Sequence, residues 1–417
     1  MDAAQPIRVT HAAALALEYG DRLVVDTIRD IHRATARRVF RRTRLVAGTV
    51  ESVHDTVFTA MYDGLSLLTR ASGSALRTLA ARGVGAPVES GPTGRRLMAT
   101  VNGLIGAELD ERDDPHAIVM SLRKEASDVV LDRDALERAY PDARGNVVLL
   151  LHGLVESDES WNRQRDRVGS TYVDRLLRET AATPLVLRYN TGLHVSDNGT
   201  HLSDLIERLC EQWPVQVTRI SLVGHSMGGL VARAATNHAV AAGLTWPGLV
   251  RHVVCLGTPH LGASLEKVAH LGARALQILP EAAPFGRILD VRSPGIVDLR
   301  HGYISRDEWH DRDLTRTWGL DRIAAAPLLH ADYHFVAATL GPTTNHPLSL
   351  VLGDLLVRYP SAVGRGRRDD PVVAHADVRH VGAIDHFALL NNPQVGDWLV
   401  RWISDRPRAA ITTGGHR

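Results

Sequence analysis

The run Val217-Thr-Arg-Ile-Ser-Leu-Val-Gly224-His225-Ser226-Met227-Gly228-Gly229-Leu230 constrains this chain more than any other. A short stretch rich in β-branched and aliphatic residues ends in a serine bracketed by glycines, and a helix-forming run follows at once. Strand, tight turn and helix in that order are the setting in which Gly-x-Ser-x-Gly holds a nucleophile. The serine must take a strained backbone conformation, and bulky neighbours would collide with the adjoining strand and helix. The competing reading is an ordinary strand-to-helix turn with a capping serine.

The 417 residues suffice for one large domain with additions, or for two. A net charge of +1 offers no global attraction for nucleic acid, so no nucleic-acid partner is expected. Two cysteines, Cys210 and Cys255, are too sparse for a disulfide framework and read as buried free thiols. No Cys/His cluster has the spacing of a structural zinc site. The first residues lack the basic-then-apolar pattern of a signal peptide, and no apolar run approaches the roughly 18 residues of a membrane span. A cytoplasmic protein, peripheral at most to a membrane or lipid body, is the expectation.

Residues 1–115 read as an N-terminal helical region. The first pattern, residues 12–44, places apolar side chains at mixed three- and four-residue spacings. Its other face carries Arg29, Arg33, Arg37, Arg38, Arg41, Arg42 and Arg44. Further helices are expected over 53–68, 74–82 and 96–109. An Arg-lined amphipathic helix can rest on an anionic lipid surface. The favoured reading is a helical cap with a solvated charged face, and peripheral lipid contact stands as the second.

From residue 116 to about 405, strand and helix patterns alternate. Asn146-Val-Val-Leu-Leu-Leu151 is a continuous apolar run of the kind buried on both faces of a parallel sheet. Further strands are expected over 185–188, 220–223, 250–256, 334–338 and 377–381, with helices over 171–180, 202–213, 230–242 and 394–403. Such alternation predicts an α/β fold with a mostly parallel, doubly wound sheet and a site at the strands' carboxyl ends. Residues 263–331 interrupt it as a lid-like insertion, with a helix over 264–279. Residues 406–417 read as a flexible tail.

A serine hydroxyl needs a base within hydrogen-bond reach, usually a histidine held in the right tautomer by a buried carboxylate. After an elbow of this type the acid and then the histidine follow in the chain. His386, in Val381-Gly-Ala-Ile-Asp-His386-Phe, stands in a loop just past the last strand. His380 lies inside that strand pattern, and His375 is far from a loop apex. Asp354, flanked by aliphatic residues, is the acid of choice. Asp385 adjoins His386 too closely to face it, and Asp369 and Asp370 sit in a polar loop. The oxyanion of a tetrahedral intermediate needs two donors. The N–H of Met227, after the nucleophile, and that of Leu154, after His152-Gly153, are the candidates. Trp161 is either a pocket wall or a core aromatic. The segment from Tyr189 to Gly199 reads as a turn with a helix N-cap.

Val148-Leu-Leu-Leu-His152-Gly153, Gly224-His225-Ser226-Met227-Gly228-Gly229 and Gly257-Thr258-Pro259-His260-Leu261-Gly262 resemble α/β-hydrolase lipases and esterases. The nearest branch is bacterial lipases together with GPI inositol-deacylase-like hydrolases. The resemblance covers about residues 145 to 403. It implies an α/β-hydrolase fold and a triad of Ser226, Asp354 and His386, with Leu154 and Met227 as oxyanion hole. His152, Gly153, His225, Thr258, Pro259 and His260 would line the substrate pocket. Such lipases often carry glycine after the acid, where this chain has Leu355. Their calcium-binding aspartates have no counterpart here, so neither metal nor cofactor is expected. The implied activity is a serine carboxylic-ester hydrolase acting on an ester or lipid through an acyl-enzyme. An acyltransferase with the same triad, or a non-catalytic lipid-surface scaffold, are the alternatives.

Overall fold

The computed structural model describes residues 7–21, 47–263, 293–310, 326–366 and 371–404. Its centre is an eight-stranded sheet in the order β2-β1-β4-β3-β5-β6-β7-β8. Strands β3 (Asn146–Leu151), β4 (Thr183–Arg188), β5 (Arg219–His225), β6 (Val250–Leu256), β7 (Asp332–Thr339) and β8 (Asp377–Gly382) run parallel. A hairpin of β1 (Ser121–Lys124) and β2 (Ser127–Val129) extends the β4 edge antiparallel. The chain moves from β3 out to β4, then returns to β5 on the other flank of β3. That reversal creates a crevice at the carboxyl ends of β3 and β5, where Leu151 pairs with Gly224.

Period-2 alternation in β3 feeds two cores. Val147, Leu149 and Leu151 enter one, and Val148 and Leu150 the other. This explains the uninterrupted apolar run, because neither face of the strand meets water.

Helix α1 (Val9–Gly20) lies against α2 (Ala47–Ala81) and α3 (Pro92–Glu111). The two helices expected over 53–68 and 74–82 are one. Gly73 lies within it and faces α1, where an added Cβ would stand 3.5 Å from the carbonyl of Ala14, an ordinary contact. Helix α3 begins with Pro92 at its first position and extends beyond the expected 96–109. Its small residues Gly103 and Gly106 press against Val155 and Asn190, and a Cβ at either would clash there. Asn190 Nδ2 donates to Gly106 O at 2.9 Å and Ser293 Oγ to Gly103 O at 3.0 Å. The N-terminal region therefore seats α3 on the sheet's carboxyl end. A Gly103→Leu variant is expected to lose about 1–3 kcal/mol of stability through overpacking. Its melting temperature should fall accordingly.

Helices α4 (Tyr172–Glu179) and α9 (Pro393–Ser404) cover one sheet face through Tyr172, Leu176, Val395, Leu399 and Trp402. Helices α5 (Val195–Gln212) and α6 (Met227–Ala241) cover the other through Leu202, Ile206, Leu209, Leu230 and Val231. Helix α5 starts seven residues before the expected 202. Asn198, read as part of a turn, is helical and donates from Nδ2 to Asn190 O at 2.8 Å. Helices α7 (Pro294–His301) and α8 (Pro347–Leu352) complete the elements near the site.

The Arg-rich stretch 22–46, the expected helix 264–279, and Asp369 and Asp370 lie outside the described residues. The described part of the insertion is anchored to the domain. Asp298 on α7 accepts from Val195 N at 2.8 Å and His194 Nδ1 at 2.9 Å, and Trp309 stacks on His194. Both cysteines are free thiols, Cys255 buried and Cys210 only half-buried. Among the described residues no helix is long and apolar enough to cross a membrane.

Candidate active site

Ser226 stands between the last residue of β5 and the first of α6, with φ 52° and ψ −120°. This is a strained backbone for a non-glycine residue. It is held by Ser226 N donating to Leu256 O at 2.8 Å on the neighbouring strand. The glycines around it serve close approach. A Cβ at Gly224 would clash with the backbone of Gly228, and one at Gly228 with the carbonyl of Leu151. The serine is thereby lifted above the sheet, at the crevice set by the strand order.

His386 opens a short helical turn, His386–Leu389, just past β8. Its Nδ1 meets Asp354 Oδ2 at 2.7 Å, and its backbone N–H donates to Asp354 O at 3.0 Å. The second carboxylate oxygen of Asp354 accepts from Leu356 N at 3.0 Å and Val357 N at 2.7 Å. Both side chains are buried. Burial opposes charging of His386, but the Asp354 carboxylate outweighs it, so the imidazole pKa is raised above its ordinary 6.5. Its Nε2 is buried with no hydrogen-bond partner among the described residues. His386 and Ser226 line one narrow cavity, together with Gly153, Leu154, Glu156, His225, Pro259, Ala263, Leu299, Leu356, Val357 and Phe387.

The rival groups are engaged elsewhere. Asp385 Oδ1 caps its own turn, accepting from Phe387 N and Ala388 N. His380 pairs with Thr339 Oγ1 at 2.8 Å, and His375 Nε2 reaches Ala331 O. The acid loop has the geometry that glycine would serve: Leu355 sits at φ 90° directly after Asp354. The chain accepts backbone strain there, held by the two N–H bonds to Asp354.

Leu154 lines the cavity with Ser226, and Met227 follows Ser226 in the chain. Neither backbone N–H has an acceptor among the described residues, and Met227 N is the first of α6, outside the intrahelical ladder. Of the other residues expected to line the pocket, Gly153, His225 and Pro259 do so. His152, Thr258 and His260 are not brought to the cavity. His152 is stacked on Tyr189 and hydrogen-bonded to Gly153 O and Tyr189 N. Thr258 packs where a Cβ on Gly229 would be. His260 meets the guanidinium of Arg233 at 3.2 Å. Trp161 belongs to the core on the far face.

Glu156 escaped the sequence reading. It is buried beside the cavity, its Oε2 accepting from Gly153 N at 2.7 Å and meeting His225 Nδ1 at 3.0 Å. Burial by itself would raise its pKa, yet His225 and the Gly153 N–H bring it down to about 2. An acid three residues past the His-Gly turn was the available signal, but burial and partner were not visible. Among the described residues, no group of three or more His, Cys, Asp or Glu side chains could hold a metal ion.

Residues 142–315 match the family model of the PGAP1-like alpha/beta domain, a span holding the β3 turn and the elbow but neither Asp354 nor His386. Over that span the mostly parallel sheet, flanked by helices, has the α/β architecture of the matched domain. Similar solved structures include a Bacillus licheniformis lipase at 17% identity, covering 63% of this chain and 94% of that one, with TM-score 0.42. A Pyrococcus furiosus esterase matches at 17% identity over 62% and 83%, with TM-score 0.35. A Thermogutta terrifontis esterase matches at 15% identity over 63% and 92%, with TM-score 0.36. No curated protein matches the chain.

Proposed function

We propose that this α/β hydrolase is a serine carboxylic-ester hydrolase working through an acyl-enzyme. The observation that carries the reading is the buried Asp354–His386 pair, whose unpartnered Nε2 borders the same cavity as Ser226 on its strained turn. Ser226 Oγ attacks the ester carbonyl while His386 Nε2 takes its proton. Asp354 holds the ring with its Nδ1 protonated and stabilises the imidazolium. The N–H groups of Leu154 and Met227 receive the oxyanion. His386 then protonates the departing alcohol and draws a proton from the water that deacylates Ser226. The apolar lining from Leu154, Leu299, Val357 and Phe387 suits the acyl part of an ester.

Labelling with a fluorophosphonate probe tests this directly. Ser226 should be modified, and the label should be lost in His386→Ala. An unlabelled Ser226 in folded protein sinks the reading in favour of a non-catalytic scaffold. The raised pKa of His386 gives a further expectation, because the base must be neutral to accept a proton. Activity should be lost as pH falls through a value above 6.5, and kcat/KM measured against pH will locate that limb. A limb well below 6.5 would contradict the assignment of His386.

A further inference from the structure

We infer that Glu156 is a positioning residue, which acts through His225 to lock the oxyanion loop to the loop of the base; this rests on the ester-hydrolase reading. One carboxylate oxygen, Oε2, serves two chain segments, taking the N–H of Gly153 and facing His225 Nδ1. The Glu156 backbone N–H closes the same turn onto Gly153 O at 3.2 Å. With the Gly153 N–H consumed in this way, the Leu154 N–H is left for the oxyanion. The other nitrogen of His225, Nε2, stands 3.3 Å from the backbone oxygen of His386. Both nitrogens of His225 thus face an oxygen of another segment, Glu156 Oε2 and His386 O. The space is exclusive too. A Cβ at Gly153 would stand 2.9 Å from Glu156 Oε2 and 3.1 Å from Ser226 Cβ.

The three segments that must stay in register during acyl transfer are the oxyanion loop, the elbow and the base. They converge on one buried contact, Glu156 with His225. The charged and titratable groups facing His386 are Asp354 from the α8 loop, Glu156 from the oxyanion loop, Asp385 from its own turn and His225 from the elbow. Those facing Glu156 are His225, His152, His386 and Tyr189. Glu156 therefore adds negative charge near the base without touching the reacting atoms through a bond of its own. Its second oxygen, Oε1, has no partner among the described residues.

The test is Glu156→Gln, which keeps size and an acceptor but removes the charge. Its kcat should fall about 10- to 100-fold with KM within about threefold, the size expected for a small misplacement of reacting groups. The acid limb of kcat/KM should move to lower pH, because a charge that favours the imidazolium is gone. His225→Gln breaks the same link from the other side and should lower kcat to a similar extent. The double variant should be no slower than the slower single one. Unchanged kcat and limb in folded Glu156→Gln, or additive losses, overturns the inference. Loss of the folded state in both single variants also overturns it, in favour of a purely structural pair. The His386 ring titration, followed by NMR, gives the same answer without substrate. Should wild-type protein hydrolyse no ester, the function falls, while a lowered His386 pKa in Glu156→Gln still upholds the coupling.

Discussion

Alanine at position 226 is expected to lower ester turnover by on the order of 10⁶-fold, the scale on which a nucleophile's loss acts when base and acid work only through it. The change deletes one oxygen from a side chain already held in a strained conformation by its strand bond to Leu256. The packing of Gly224, Gly228 and Leu151 around the turn does not involve Oγ. Stability should therefore shift by less than about 1 kcal/mol, as for substitutions that remove no core contact. Nitrophenyl-ester hydrolysis and thermal unfolding, measured on one preparation, separate the two effects. Turnover within tenfold of wild type would remove Ser226 from the mechanism.

Asp354→Asn is expected to cost on the order of 10⁴-fold in kcat. The carboxylate does two things that an amide cannot do together. Oδ2 fixes the proton on His386 Nδ1, leaving Nε2 as the acceptor, and its charge stabilises the imidazolium that forms. An amide can present N–H to Nδ1 and lock the ring in the wrong tautomer. The acid limb should also move to lower pH, since the main opposite charge that raises the His386 pKa is lost. The two N–H bonds from Leu356 and Val357 to Oδ1 need an acceptor, which asparagine can supply only with its single oxygen. Some loss of stability is thus expected alongside. If kcat in the folded variant falls less than about tenfold, another acid serves His386.

The parts of the fold legible in the sequence are those with a strong local cause. β3 and β6 span the residues expected of them because strands buried on both faces form near-continuous apolar runs. The β1–β2 hairpin was not named in advance. Its segments, Ser121-Leu-Arg-Lys and Ser127-Asp-Val, are short and polar, and only pairing with β4 defines them. Helix α5 hid its first turn behind residues that favour caps, because Asn198 bonds across to Asn190 instead of capping. His152, Thr258 and His260 sit beside site residues in the chain, yet the sheet turns them toward Tyr189, Gly229 and Arg233.

What the sequence determined by itself was the elbow and the order of the groups that serve it. A glycine-bracketed serine between strand and helix is a steric requirement met within a few residues, so it is written locally. Chain order, loop placement and aliphatic flanks together pointed to Asp354 and His386, which lie 32 positions apart and touch. Only the tertiary structure decided that α3 presses on the loop after β3 and that Glu156 meets His225 across 69 positions. A contact between distant residues leaves no periodicity in either segment. A carboxylate reads as solvated until the fold removes water from around it and supplies a partner.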